Sequence, residues 1–112
     1  MTARPVLLAT DLSEGARRAA AALRHVAEPG APVHVLHVVP DRPRPETTEA
    51  ARREATEWME RAGLAGATLH VAHGDPARFL AQQGAALDAS LVALGSTGAG
   101  RFERALLGSV AR

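Results

Sequence analysis

VLLATDLSEGARRAAAALRHV, residues 6–26, holds the reading from which the fold follows. Val6-Leu7-Leu8-Ala9 is a short unbroken apolar run behind Pro5, the pattern of a strand buried on both faces rather than one that alternates between core and water. Asp11-Leu12-Ser13 interrupts it. Ser13 is a natural helix N-cap, and after it Ala16, Ala19, Ala20, Leu23 and Val26 recur at helical spacing until Glu28-Pro29-Gly30 ends the pattern. A buried strand followed at once by a capped amphipathic helix is the first half of a β-α-β unit.

Moving outward, Val33-His34-Val35-Leu36-His37-Val38-Val39 is rich in β-branched residues and is cut by Pro40, so it reads as the second strand. Asp41-Arg42-Pro43-Arg44-Pro45 reads as a stiff loop, because prolines remove donors and fix φ. Ala51, Ala55, Trp58, Met59 and Ala62 then form one apolar stripe of a second helix, with Arg52, Arg53, Glu54, Glu57 and Glu60 mostly opposite. Trp58 and Met59 read as core rather than as part of an aromatic cage. Residues 67–72 form a third strand. Gly74-Asp75-Pro76 supplies a turn with Asp75 as cap and Pro76 as first helical residue of a short helix over 77–85. Leu91-Val92-Ala93-Leu94 is a fourth buried strand. The order βαβαβαβ calls for an α/β fold, an open parallel sheet with helices on both faces and right-handed crossovers.

The composition narrows the chemistry. At 112 residues the chain reads as one domain, 1–112, with no linker, repeat or low-complexity tract. A hydrophobic fraction of 46% with 22% charged residues suits a globular protein, and 3% aromatic residues require an aliphatic core. There is no cysteine, which removes disulfides, thiolate nucleophiles and Cys-type zinc sites. All 13 basic residues are arginine, so a Walker lysine, a Schiff-base lysine and the lysine of a receiver domain are impossible. A flavin fold is disfavoured by the want of aromatics after the strands. A formal net charge of +1 with interleaved signs argues against nucleic acid as a partner. No apolar run approaches the roughly 20 residues that cross a bilayer, and the N-terminus does not read as a signal peptide, so neither a membrane partner nor export is expected and the location expected is cytoplasmic.

In open parallel sheets ligands bind beyond the carboxyl ends of the strands, where strand order reverses. Thr10-Asp11-Leu12-Ser13 follows strand one, Val38 and Val39 close strand two, and a glycine stretch follows strand four. Gly95, Gly98 and Gly100 allow close backbone approach, so successive N–H groups can form a nest for phosphate oxygens without lysine; Gly108-Ser109 looks like the entry to another helix. Competing readings stand beside these: the glycines can be turn residues, Asp11 an N-cap or turn acid, and Arg101 and Arg104 solvated rather than phosphate partners. The histidines His34 and His37, like His70 and His73, are three apart on strands, so the members of each pair point to opposite faces and cannot chelate one ion. His25 lies in a helix without a partner. No local pair of carboxylates or His beside a nucleophile marks a hydrolytic centre.

At four places, LLATDLSEGARRA (7–19), VLHVVPD (35–41), HGDPARFL (73–80) and ALGSTGAGRFERALLGSV (93–110), the chain resembles the universal stress protein family. The spacing of Gly95, Gly98 and Gly108-Ser109 resembles the glycine signature of its ATP-binding branch. That resemblance implies a three-layer Rossmann-like fold of the adenine nucleotide alpha hydrolase-like kind, four of whose strands are visible here. It implies ATP, with or without Mg²⁺, as ligand, with adenine against the backbone of Val38 and Asp11 at the ribose or metal. Gly95, Ser96, Gly98, Gly108, Ser109 and Val110 would surround the phosphates. It also implies a further helix and a fifth strand used for pairing two subunits, so the chain reads as C-terminally short, with strand four an edge and a homodimer expected. The function it implies is a nucleotide-responsive stress-response module, at most a slow ATP hydrolase. The alternatives are a family member acting through protein contacts alone, or a related nucleotidyl-transferring enzyme, whose His-x-x-His or Ser-Gly-Gly phosphate motifs are missing here.

Overall fold

The computed structural model describes residues 4–39 and 45–95. Its elements are β1 (Val6–Thr10), α1 (Glu14–Val26), β2 (Val33–Val39), α2 (Pro45–Arg61), β3 (Thr68–His73), α3 (Pro76–Ala86) and β4 (Leu91–Gly95). All strand pairs are parallel, in the order β3-β2-β1-β4. The chain steps from β1 outward to β2 and β3, then crosses back to place β4 on the other side of β1. Every residue of β1 is buried, as its unbroken apolar run requires of a central strand.

Alternation along the strands sorts the interior into two layers. On one face Val6, Leu8 and Val35 pack with Ala16, Ala20 and Leu23 of α1 and with Trp58, Met59, Ala62 and Leu64 of the α2 region. On the other, Leu7, Ala9, Leu36, Val38 and Val92 pack under Leu80 of α3. The architecture is thus the three-layer α/β sheet expected.

Local signals set the element ends. Ser13 caps α1, its Oγ accepting from the Ala16 N–H at 3.1 Å, and Asp75 caps α3 ahead of Pro76. Three details differ from the sequence reading. Val26, assigned to the apolar stripe of α1, is 68% exposed, because Ala27, four residues after Leu23, occupies the core-facing position instead. Pro45, placed in the loop, is the first residue of α2, where its missing N–H costs nothing. Strand β3 and helix α3 are displaced by one residue or lengthened at their ends. Residues 41–44 of the proline loop lie outside the described residues. Among the described residues β4 is an edge of the sheet, and no helix is long and apolar enough to cross a membrane.

The end of α2 is closed by a Schellman motif. Leu64 N–H donates to Met59 C=O at 2.7 Å and Gly63 N–H to Glu60 C=O at 3.2 Å, while Leu64 and Met59 meet in the core. Gly63 takes the left-handed φ of +77° that this motif needs. Arg24 of α1 donates to the carbonyls of Ala62 and Gly63, each at 2.9 Å, so α1 holds the C-terminus of α2. A Cβ on Gly63 would fall on the Arg24 guanidinium. Gly63→Ala is therefore expected to lower stability by about 1–2 kcal/mol, from left-handed strain and a displaced arginine. Urea denaturation measures it, and in an Arg24→Ala background the cost should shrink toward the strain alone.

Candidate functional site

Strands β2, β1 and β4 are neighbours, and their carboxyl ends form one rim. Thr10 is in register with His37 on one side and with Gly95 on the other. Asp11 therefore leaves the sheet beside Gly95, at the place where the strand order reverses. This is where the geometry of open parallel sheets puts a ligand.

The turn after β1 is held by its own polar groups. Thr10, buried at 1% exposure, accepts at Oγ1 from the Leu12 N–H at 2.9 Å. Asp11 Oδ1 accepts from the Ser13 N–H at 3.0 Å, an Asx turn that leads directly into α1. Between them Leu12 has φ +66°, a left-handed conformation that a leucine adopts only at a cost. Two further groups hold the turn from outside. His37 Nδ1 lies 3.2 Å from Thr10 C=O, and since a carbonyl only accepts, Nδ1 carries the hydrogen. Trp58 Nε1–H donates to Ser13 C=O at 3.3 Å. A strained residue kept in place by four separate hydrogen bonds marks a segment whose shape matters.

Asp11 is exposed, and one bond from Ser13 leaves most of its carboxylate acceptor capacity for something else. Such oxygen donors suit a hard cation such as Mg²⁺. Glu14, also exposed, adds a second acid at the start of α1 and is paired with Arg17 at 3.1 Å. A bare polyanion would meet two carboxylates here, whereas a cation-bridged one would be accommodated.

Val38 contributes through its backbone. Its side chain is buried on the α3 face with Leu36, Leu80 and Val92. Val39 C=O accepts from Gly74 N–H at 2.9 Å on the β3 side, so strand alternation turns the main-chain groups of Val38 toward β1. Val38 lies one register position beyond the Thr10–His37 pair, so those groups face the gap where β1 has ended.

The structure thus brings together Asp11, Val38 and the backbone of Gly95. Ser96, Gly98, Gly108, Ser109 and Val110, with Arg101 and Arg104, lie outside the described residues. The sequence offers Thr10 only as part of the stretch Thr10-Asp11-Leu12-Ser13, and it does not offer His37 as a rim residue. For Thr10 the usable signal was a hydroxyl ending an otherwise apolar central strand. For His37 there was none until β2 was known to lie beside β1. Among the described residues no group of three or more His, Cys, Asp or Glu could hold a metal ion by itself.

Comparison with known proteins gives a coherent result. Residues 2–112 match the profile of the universal stress protein family. Among solved structures, a universal stress protein in complex with cAMP is 24% identical with a TM-score of 0.63, over 100% of this chain and 90% of that one. A universal stress protein from Archaeoglobus fulgidus is 20% identical with a TM-score of 0.63, over 93% and 90%. A protein from Mycobacterium tuberculosis is 20% identical with a TM-score of 0.64, over 89% and 76%. At these identities the likeness is one of fold. Among curated proteins none matches significantly.

Proposed function

Because the chain belongs to the universal stress protein family, we propose that it binds an adenine nucleotide, ATP with Mg²⁺, at the rim formed by β2, β1 and β4, and serves as a nucleotide-responsive regulatory module. The observation that carries this reading is the register of Thr10 with Gly95 beside a Val38 backbone that faces the end of β1. It brings Asp11, the Val38 backbone and Gly95 to one rim, which supports the reading.

Each residue then has a task. The N–H and C=O of Val38 read the adenine edge, as fixed polar groups do in otherwise apolar pockets. Asp11 meets the ribose or shares the Mg²⁺, which when bound supplies the positive charge that the two acids at this rim lack. Gly95, Ser96, Gly98, Gly108, Ser109 and Val110 surround the phosphates with main-chain donors. A like site is supported by the family relative solved with cAMP. The reading is one of binding rather than turnover, because the chain has no lysine to serve the transferred phosphoryl group. The same reading places the protein in the cytoplasm, where a cysteine-free nucleotide binder fits. It also pairs two copies, as the unpaired edge of β4 among the described residues favours.

Isothermal titration with ATP and MgCl₂, with ATP in EDTA, and with cAMP tests it. Saturable heat with ATP and Mg²⁺, weakened by EDTA, is expected, together with thermal stabilisation of about 2.7 kcal/mol at a hundredfold excess over Kd. No heat and no stabilisation at millimolar nucleotide would leave only the protein-contact reading. Sedimentation across a concentration series tests the dimer.

A further inference from the structure

Away from the rim, on the α3 side of the sheet, two histidines from neighbouring strands face each other. His34 of β2 is in register with Thr68, and His70 sits two positions further along the edge strand β3. Their side chains bridge that diagonal, with His34 Nδ1 2.9 Å from His70 Nε2. The ring centroids are 5.2 Å apart and the planes differ by 22°. A centroid separation that exceeds the nitrogen separation by only two ring radii forces both nitrogens onto the line between the rings. The ring nitrogens therefore point straight at one another, one N–H into one lone pair. A metal ion bound by both would have to sit off that line, so the geometry is that of a hydrogen bond and not of a chelate.

An imidazole pair of this kind has a fixed capacity. With both rings neutral, one nitrogen of the facing pair carries hydrogen and the other accepts. With one added proton, an imidazolium donates to an imidazole and the bond strengthens. With a second, two N–H groups and two positive charges oppose each other across 2.9 Å, and the contact cannot survive. We propose that His34 and His70 form a proton-counting latch between β2 and edge strand β3, closed with no or one added proton and opened by the second.

The surroundings favour that behaviour because, among the described residues, no acid is found to act on His70. β1 carries no titratable side chain, and His37 and His73 lie on the opposite face of their strands by alternation. Helix α3 brings only Arg78, which is exposed. Of the charged residues of α2, which carries Glu46, Glu49, Arg52, Arg53, Glu54, Glu57, Glu60 and Arg61, it is Arg52 whose charge acts on His70, and it is positive. Burial first, then the charges of His34 and Arg52, hold His70 below its usual 6.5. The fold therefore favours neutral His70, so this stabilisation is complete above pH 6.5 and is lost as pH falls through the lower folded-state value. Strand β3 is an edge, joined among the described residues to β2 alone, so the loss falls on the strand least supported by neighbours.

The test is imidazole ¹⁵N NMR of the full chain between pH 8 and 4.5, with amide hydrogen exchange read along β3. The pair should take up its two protons in steps separated by at least about one pH unit. In His34→Gln and His70→Gln the remaining ring should titrate in a single step. Exchange of the β3 amides should rise about tenfold or more across the second step in the parent protein and stay flat in the variants. Two rings that protonate together in the parent would overturn the proposal, as would β3 exchange indifferent to the second step. Both readouts come from the parent chain, so a variant that fails to fold does not remove the decision.

Discussion

Trp58→Ala should lower the urea midpoint more than any other single core truncation, removing roughly a third or more of the protein's stability. Trp58 is 2% exposed and stands in the layer between the sheet and α1, against a core that is otherwise small and aliphatic. Removing a buried tryptophan typically costs about 3–5 kcal/mol, and a domain of this size is held by only about 5–15. The same side chain donates to the C=O of Ser13, the residue whose N–H closes the Asp11 turn, so it ties α2 to the rim as well as filling space. Trp58→Phe separates the two roles. Packing should largely survive, the lost hydrogen bond should cost about 1 kcal/mol, and nucleotide affinity should fall more than stability does. Circular dichroism is the readout, since this is the only tryptophan of the chain and the substitution removes the fluorophore. A Trp58→Ala protein with unchanged urea midpoint would show that the α2 layer is not packed as described.

Gly98→Val should abolish nucleotide binding, by at least about a hundredfold, while leaving the unfolding free energy of the ligand-free protein, from urea denaturation, within about 0.5 kcal/mol of the parent's. The reason is steric. If main-chain N–H groups after β4 replace lysine as the seat of the phosphates, the backbone must come within hydrogen-bond distance of anionic oxygens, and a branched side chain at that point holds them off. Titration calorimetry on the parent and variant decides between a phosphate nest and an ordinary turn. Unchanged affinity would assign the glycines to the turn. A variant that also loses stability would show that they serve the fold.

The outline of this fold could be read from the chain because its strongest signals are local. The run Val33–Val39 became β2 residue for residue, and Ser13 and Asp75-Pro76 start the helices they were expected to start. Periodicity misplaced Val26 because one turn of helix offers two neighbouring positions, and only the packed structure shows that Ala27 is the one turned inward. Pro45 was assigned to a loop because two prolines in three residues suggest one, although a first helical turn accepts proline equally well. For the rim, Asp11, Val38 and Gly95 were legible together through the rule that ligands gather where strand order reverses. What lay out of reach were contacts that depend on which strands are neighbours. His37 bonding to Thr10 and His34 meeting His70 are separated by tens of residues, and spacing within one strand says nothing about them.

The arrangement that puts β1 between β2 and β4 also governs how the chain comes together in time. β1, β2 and β3 with their crossover helices involve partners close in sequence and can assemble while synthesis is under way. The other side of β1 must wait for β4; Ser90 reaches back to Pro5 across 85 residues. High contact order of this kind slows folding. At ordinary elongation rates the open flank of a strand that is wholly buried in the finished fold stands exposed on the ribosome for on the order of several seconds. Chaperone demand and mispairing between nascent chains should therefore concentrate on that one flank.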